Sequence, residues 1–473
     1  MSRRKNTRKI FENIPVLDAG AKGKAIAKAP DGRVIFIDNA VPGDIATIQT
    51  TKQRKAYYEG SAISFASFSD KRVPPQCEHF GVCGGCKWQH MGYEHQLFFK
   101  QNEVENNLRR IGKIELPPIQ PILGAPEQYF YRNKMEFSFS DSKWLTLEQI
   151  QSDELITDRN ALGFHIPGMW DKILDLKKCH LQRDPSNAIR DFLKAKAEAL
   201  ELSFFNTRKQ EGFLRTLMIR TSSTGDVMVL LQFFHEDVKN RILLLDAIAS
   251  QFPEITSLLY VINAKGNDTI YDQEVLCHFG KDHIFEEMEG LRFKINAKSF
   301  YQTNSEQAYE LYKLTRDFAG LTGNEVVFDL YTGTGTIAQF VAKNAKKVVG
   351  IEAVPEAIDA AKENALLNGI DNVAFYVGDM KKVFNESFIV QHGLPDVIIT
   401  DPPRDGMHAD VVTQLLAIAA PKIVYVSCNS ATQARDLALL DAMYKVTKVQ
   451  PVDMFPQTHH VENVVLLEKR NNT

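Results

Sequence analysis

From about residue 291 the chain alternates short apolar runs with longer stretches of helical character, and the runs stop at polar or glycine-rich ends. Glu325-Val-Val-Phe-Asp-Leu330, Val348-Val-Gly-Ile351, Val373-Ala-Phe-Tyr-Val377, Val397-Ile-Ile-Thr400 and Ile423-Val-Tyr-Val426 are rich in β-branched residues and too short for helices. Runs of this kind with helical segments between them predict parallel strands buried on both faces, in a doubly wound α/β sheet. Ligands of such sheets bind outside the carboxyl ends of the strands. Here those ends carry Tyr331-Thr-Gly-Thr-Gly-Thr336, Glu352, Gly378-Asp379, Asp401-Pro-Pro-Arg404 and Ser427-Cys428-Asn429. A last strand pair, near 446–451 and 464–468, closes the chain.

The polar ends suggest a chemistry. Gly333 and Gly335 let a cofactor lie against backbone at a helix start. Glu352 is placed for ribose hydroxyls and Asp379 for an adenine. Three successive strand ends of this kind suit S-adenosylmethionine better than NAD, in the strand order of a class I methyltransferase. Either acid taken alone has a bland alternative as a helix cap or a solvated acid. Asp401-Pro-Pro is shared with methylases of exocyclic amines, but those continue with an aromatic residue and this chain continues with Arg404. An amine needs no covalent help, whereas a pyrimidine C5 does. A thiolate adding at C6 of uracil makes an enolate that takes a methyl at C5, and a base must then remove the C5 proton. A lone cysteine is more often structural, but Cys428 ends a strand beside an acid and a guanidinium. Arg404 is expected to orient the pocket or to lower the thiol's pKa.

A chain of 473 residues exceeds one core and predicts two to four domains. Its 44% hydrophobic and 24% charged residues are ordinary for a globular protein. No apolar run is long enough to span a bilayer, and Met1-Ser-Arg-Arg-Lys-Asn-Thr-Arg-Lys9 lacks the apolar core of a signal peptide. A cytoplasmic protein is expected, with its six cysteines reduced and available for metal or catalysis. The net charge of −3 hides an asymmetry: residues 1–67 carry twelve Lys/Arg against six Asp/Glu, a balance of +6, so the remainder carries −9. A basic segment on an acidic body suggests a polyanion partner.

Residues 10–67 alternate short apolar runs with turn signals at Asp18-Ala-Gly20, Pro30-Asp-Gly32 and Pro42-Gly-Asp44, which predicts a small barrel. Lys22, Lys24, Lys28, Arg33, Lys52, Arg54 and Lys55, interleaved with Tyr57 and Tyr58, suit a surface that tracks phosphates and stacks bases. The segment resembles a TRAM domain, an RNA-binding barrel related to the OB-fold. Cys77-Glu-His-Phe-Gly-Val-Cys83-Gly-Gly-Cys86 then brings three thiols within ten residues. Glycines between two of them allow a sharp bend, and a fourth thiolate is needed for an all-cysteine site. Cys179 is the candidate, since Cys277 sits in a strand-like run. Spacing does not separate zinc from an iron–sulfur cluster. His79, His90 and His95 read as surface histidines rather than ligands. Helical spacing of Leu97, Val104, Leu108 and Ile111 predicts a helix over 93–112. Residues 128–290 are mixed, with strands near 129–137, 215–220, 227–233 and 259–262 and helices near 186–201 and 237–251.

Asp401-Pro-Pro-Arg-Asp-Gly406, Ile423-Val-Tyr-Val-Ser-Cys-Asn429 with Thr432, and Val452-Asp-Met-Phe-Pro-Gln-Thr-His-His-Val-Glu462 resemble the signatures of the RNA uracil-5-methyltransferase family. Lys298-Ser-Phe-Tyr-Gln-Thr-Asn304 resembles that family's stretch before the glycine turn, and the cysteine cluster with the TRAM-like barrel resembles its 23S rRNA branch. Thr332 is one departure, where the family often has Cys. The resemblance implies an S-adenosylmethionine-dependent methylation of uridine C5, most closely in 23S rRNA, with Cys428 as nucleophile and Glu462 as base. It implies a cofactor shell of Gln302, Tyr331, Thr336, Glu352, Asp379 and Asp401, joined by Gly333 and Gly335 of the turn. It implies that Cys77, Cys83, Cys86 and Cys179 hold a [4Fe–4S] cluster, with zinc as the alternative. It also implies discontinuous domains: a barrel at 1–67, a cluster-bearing domain at 68–92 and 128–290, and a methyltransferase domain at 93–127 and 291–473. A monomer is expected, and the target base must be flipped out of its stack. A tRNA target, a non-catalytic RNA-binding protein with a structural metal, and a redox protein using the cluster are the competing readings.

Overall fold

The structure, a computed structural model, describes residues 8–152 and 156–471. The first seven residues of the basic N-terminal stretch lie outside the described residues. Contacts divide the chain into two compact units, residues 1–128 with 399–473 and residues 129–398.

The first unit opens with a closed barrel of β1 (Ile10–Ala19), β2 (Ala25–Lys28), β3 (Val34–Asp38), β4 (Ile45–Gln53) and β5 (Tyr57–Ser67), in the order β1-β2-β3-β5-β4. Alternation fills it: Ile35, Ile37, Ala46 and Ile48 point inward and are fully buried. Gly43 shows why its turn needs glycine, because at φ +100° a Cβ would lie 2.7 Å from Ser69 Oγ. The same alternation corrects one expectation. Tyr58 faces the barrel core, fully buried, and donates to Asp31 at 2.8 Å, so it stacks no base. Arg33 covers its ring at 4.0 Å. Lys24, Arg33 and Lys52 are paired with Asp38, Asp31 and Glu59 at 2.9, 2.6 and 3.3 Å, which weakens their claim on phosphates. His90 is another correction. It is buried rather than at the surface, lies tilted against the Phe80 ring with centroids 4.9 Å apart, and burial pushes its pKa down to about 4.

The expected 93–112 helix runs regularly over Tyr93–Asn107 and widens into a looser turn over Leu108–Gly112. It packs against the C-terminal segment through groups that its apolar stripe does not announce. Lys100 Nζ meets Asp453 Oδ1 at 2.6 Å with both side chains fully buried, and Tyr93 donates to the other carboxylate oxygen at 2.9 Å.

The second unit holds a seven-stranded sheet of β6 (Lys134–Ser140), β7 (Ala161–Ile166), β8 (Met169–Asp175), β9 (Leu214–Thr221), β10 (Val227–Phe233), β11 (Ser257–Ile262) and β12 (Leu276–Gly280), ordered β12-β11-β10-β9-β6-β7-β8. Helices Ser186–Ala199 and Val238–Gln251 match the expected ones within two residues. β6 starts five residues later than the strand expected from 129. Phe130 is left-handed at φ 57°, and the amides of Phe130 and Arg132 bond instead to the carbonyls of His180 and Leu181. The hairpin β7–β8 was not anticipated, nor was β13 (His283–Met288) paired with β14 (Leu291–Asn296).

The alternating C-terminal pattern forms β15 (Val326–Leu330), β16 (Lys347–Glu352), β17 (Val373–Val377), β18 (Val397–Thr400), β19 (Lys422–Ser427), β20 (Tyr444–Val452) and β21 (Glu462–Lys469). Their sheet has the order β17-β16-β15-β18-β19-β21-β20. β15, β16 and β17 pair in parallel, while β21 runs antiparallel to β19 and β20. This is the class I methyltransferase sheet, closed by the strand pair expected from the sequence. Among the described residues no helix is long and apolar enough to cross a membrane.

Candidate functional site

The thiol end of the site is built by register. β19 and β21 are paired through Ser427↔Asn463, so Cys428 and Glu462 are the next residues of adjacent strands. The Asn429 side chain caps the following helix, Ser430–Leu440, by accepting from Ala431 N at 3.1 Å. Its amide also donates to Arg404 O at 2.9 Å, where Thr432 Oγ1 adds a second bond at 3.1 Å. The loop after β18 is therefore tied to the segment that carries the thiol. Gln433, fully buried, locks the strands beneath by donating to the carbonyls of Tyr425 and Asn463 at 3.0 and 3.2 Å.

Electrostatics couple four side chains. Glu462 is buried, and burial, reinforced by the charge of Asp401 and opposed by Arg404, pushes its carboxyl up to about 8. Burial pushes the Cys428 thiol up to about 11, with Glu462 and Asp401 adding to the rise and Arg404 opposing it. Arg404 thus acts in the expected direction but is outweighed, and the thiol is not acidified in this state. Both reactive positions hold their protons near neutral pH. A carboxyl of raised pKa is a stronger base once ionised.

The glycine turn follows β15. Tyr331 is left-handed at φ 64°, as are Gly333 at 56° and Gly335 at 74°. A Cβ on Gly335 would lie 2.7 Å from the Phe375 ring, so that glycine is required by packing; at Gly333 a Cβ would meet nothing, so its backbone stays open to a ligand. Glu352 faces this turn, accepting from Gly333 N at 3.1 Å and from Ala353 N at 2.7 Å. Thr336, buried, starts the helix Thr336–Ala342. Asp379 caps the short helix Met380–Val383 by accepting from Lys381 N at 3.1 Å. The backbone of Gln302 is held by Asn133 Nδ2, which donates to Gln302 O at 2.9 Å. An open glycine backbone and a carboxylate at the adjacent strand end fit an adenosyl cofactor.

One residue here escaped the sequence reading. Asp329 is buried, accepts from Thr332 Oγ1 at 2.5 Å, and is pushed up to about 7 by burial, against its hydrogen bonds. Its signal was an acid inside the apolar run of β15. The hydroxyl of Thr332, where the resembling family often has Cys, serves as its donor.

Cys77, Cys83 and Cys86 lie half-buried in one turn-rich segment, and Cys179 is half-buried with its amide bonded to Asn187 Oδ1 at 2.8 Å. Burial pushes the Cys77 thiol up. Among the described residues no group of three or more His, Cys, Asp or Glu is arranged to hold a metal ion.

Comparison with known proteins agrees with this architecture. The tRNA (Uracil-5-)-methyltransferase family model matches residues 272–470, and the TRAM domain model matches residues 12–63. A protein of Bacteroides thetaiotaomicron named an uncharacterized RNA methyltransferase is 59% identical over 95% of this chain and 100% of its own length. The chain belongs to the RNA uracil-5-methyltransferase family. A Porphyromonas gingivalis protein, also named an uncharacterized RNA methyltransferase, is 56% identical over 96% of this chain and 99% of its own length. The solved structure of the Pyrococcus abyssi tRNA (uracil-54, C5)-methyltransferase in complex with S-adenosyl-L-homocysteine matches with a TM-score of 0.74 and 27% identity, covering 96% of this chain and 100% of that one. Membership makes this chain an S-adenosylmethionine-dependent RNA methyltransferase with an N-terminal TRAM barrel.

Proposed function

We propose that this protein methylates C5 of a uridine in 23S rRNA through a covalent adduct between Cys428 and uracil C6. The observation that carries the reading is the placing of half-buried Cys428 and buried Glu462 at the ends of the paired strands β19 and β21, with Asp401 and Arg404 acting on both. The cofactor supplies an electrophilic methyl. The Cys428 thiolate adds to C6, forming a C–S bond and moving the C5=C6 electron pair into an enolate. C5 then takes the methyl group, leaving the cofactor's sulfur neutral. Ionised Glu462 removes the C5 proton, the C–S bond breaks, and the C5=C6 bond re-forms with release of the thiolate. Arg404 favours the thiolate. Gln302, Tyr331, Gly333, Gly335, Thr336, Glu352, Asp379 and Asp401 form the cofactor shell in this reading.

The domain boundaries proposed are 1–67, 68–92 with 128–290, and 93–127 with 291–473. The protein acts in the cytoplasm as a monomer, and Cys77, Cys83, Cys86 and Cys179 hold a [4Fe–4S] cluster of structural role. Protein purified without oxygen should then be brown with about four irons per chain; a colourless protein with stoichiometric zinc refutes the cluster. A tRNA uridine is the second reading, favoured by the tRNA description of the matching family model and of the Pyrococcus abyssi neighbour. Mass mapping of RNA from a strain lacking the protein decides between them. Loss of a 5-methyluridine from 23S rRNA is expected, loss from tRNA supports the second reading, and an unchanged map with no transfer from labelled cofactor leaves a non-catalytic RNA-binding protein.

A further inference from the structure

We propose that the domain built on β6–β12 carries a pocket for a single guanine base of the RNA, separate from the thiol site. The proposal rests on the RNA substrate of the family. A cavity of about 180 Å³ opens on this domain, with Arg215, Asp268, Phe205, Ser138 and His165 among its walls. That is the room of about six waters at ~30 Å³ each, enough for one ring system.

The chemistry of two wall groups selects the ligand. Arg215 is 4% exposed, and its guanidinium lies 4.7 Å from the Phe205 ring. Nη1 donates to the carbonyls of Asn263 and Lys265, at 2.7 Å each. Those bonds fix the group and leave N–H donors over. No carboxylate comes within ion-pair distance of it among the described residues, so a buried cation borders a cavity without a counter-ion. Asp268 stands on the rim in a rigid turn. Its carbonyl accepts from Gln232 at 3.0 Å, and Asn263 braces the turn through Asn267 O and Thr269 O at 3.4 and 3.2 Å. Its carboxylate makes no hydrogen bond or ion pair among the described residues, yet its charge reaches Arg215.

A cavity with one donor-only wall and one acceptor-only wall wants a ligand with both edges. A phosphate would be repelled by Asp268. Guanine presents O6 and N7 as acceptors for a guanidinium. It also presents two adjacent donors, N1–H and the 2-amino group, for a carboxylate. Uracil offers one donor, and adenine lacks the paired N–H edge. Next to the cavity wall residue Thr207, Arg208 lies 5.6 Å from the ring of Trp170, which is 61% exposed. An exposed indole backed by arginine is a platform for a neighbouring base.

The test uses the full-length protein with GMP, IMP, AMP and UMP as probes, followed by calorimetry and ligand-observed NMR. GMP should bind roughly tenfold tighter than IMP, which lacks the 2-amino donor, and tighter than AMP or UMP. Asp268→Ala, a change at an exposed turn, should erase the preference of GMP over IMP while S-adenosylmethionine binding is unchanged. Equal binding of the four nucleotides, no saturable GMP signal, or an undiminished preference in Asp268→Ala overturns the pocket. Guanine selectivity without any methyl transfer to RNA would refute the proposed function and leave the pocket standing; methyl transfer without selectivity does the reverse.

Discussion

Replacing Glu462 by glutamine should make the protein more stable at alkaline pH, not less. The carboxyl titrates near 4.5 in the unfolded chain and at about 8 in the folded protein, because it is buried beside Asp401. Above pH 4.5 the folded protein keeps a proton that the unfolded chain has released. Folding therefore takes up a proton, and the stability associated with this group, complete below pH 4.5, is lost as pH rises through 8. At about 1.4 kcal/mol per pH unit the interval gives an upper limit of roughly 5 kcal/mol, of which roughly 3 kcal/mol develops between about pH 6 and pH 9. A glutamine side chain has the same shape and no proton to lose. Scanning calorimetry of both proteins over that range should show the variant's melting temperature pulling ahead as pH rises. At roughly 2–4 °C per kcal/mol for a domain of this size, the gain is up to about 10 °C. A difference that stays constant with pH, or a wild-type protein that gains on the variant as pH rises, would refute the burial of an isolated proton at Glu462.

Other consequences follow from the same structure. Asp453→Asn leaves the Lys100 ammonium buried without its counter-charge and should destabilise by about 3–5 kcal/mol in urea unfolding, while a double variant with Lys100→Met should recover most of that loss. Gly335→Ala forces a Cβ to 2.7 Å from the Phe375 ring at φ +74°, so cofactor affinity and melting temperature should both fall; normal cofactor binding would mean that the turn relaxes freely. Deleting residues 1–67 should weaken RNA binding and flatten its log–log salt dependence without abolishing cofactor binding, as measured by filter binding and calorimetry.

The sheet was legible because strands buried on both faces announce themselves as β-branched runs, and because their ends are polar. Cys428, Asp401 and the glycine turn could be placed on strand ends from periodicity alone. Glu462 could not: it starts an antiparallel strand after a long connection, and only the motif resemblance pointed to it. Tyr58 was misjudged although the alternation of β5 with Ile35 and Ile37 puts it inside the barrel. The Lys100–Asp453 pair joins residues 353 positions apart, a partnership that local pattern does not encode. Arg404 shows a different limit. A basic neighbour was visible in the sequence, but the burial and the two carboxyls that outweigh it were not.

The most direct measurement is the trapping of the enzyme–RNA bond. Wild-type protein, cofactor and 5-fluorouridine-substituted rRNA should give a complex that survives denaturing electrophoresis, since fluorine cannot leave C5 as a cation. Digestion and mass spectrometry should locate the bond on Cys428. Cys428→Ala should give none, and Glu462→Gln on ordinary RNA should accumulate the same bond, because loss of a positioned base slows its step about 10²–10⁴-fold. If Glu462→Gln turns over normally and the wild-type protein forms no adduct with fluorinated RNA that it methylates in unfluorinated form, the proposed mechanism is wrong; normal turnover of the variant alone removes only Glu462 from the role of base.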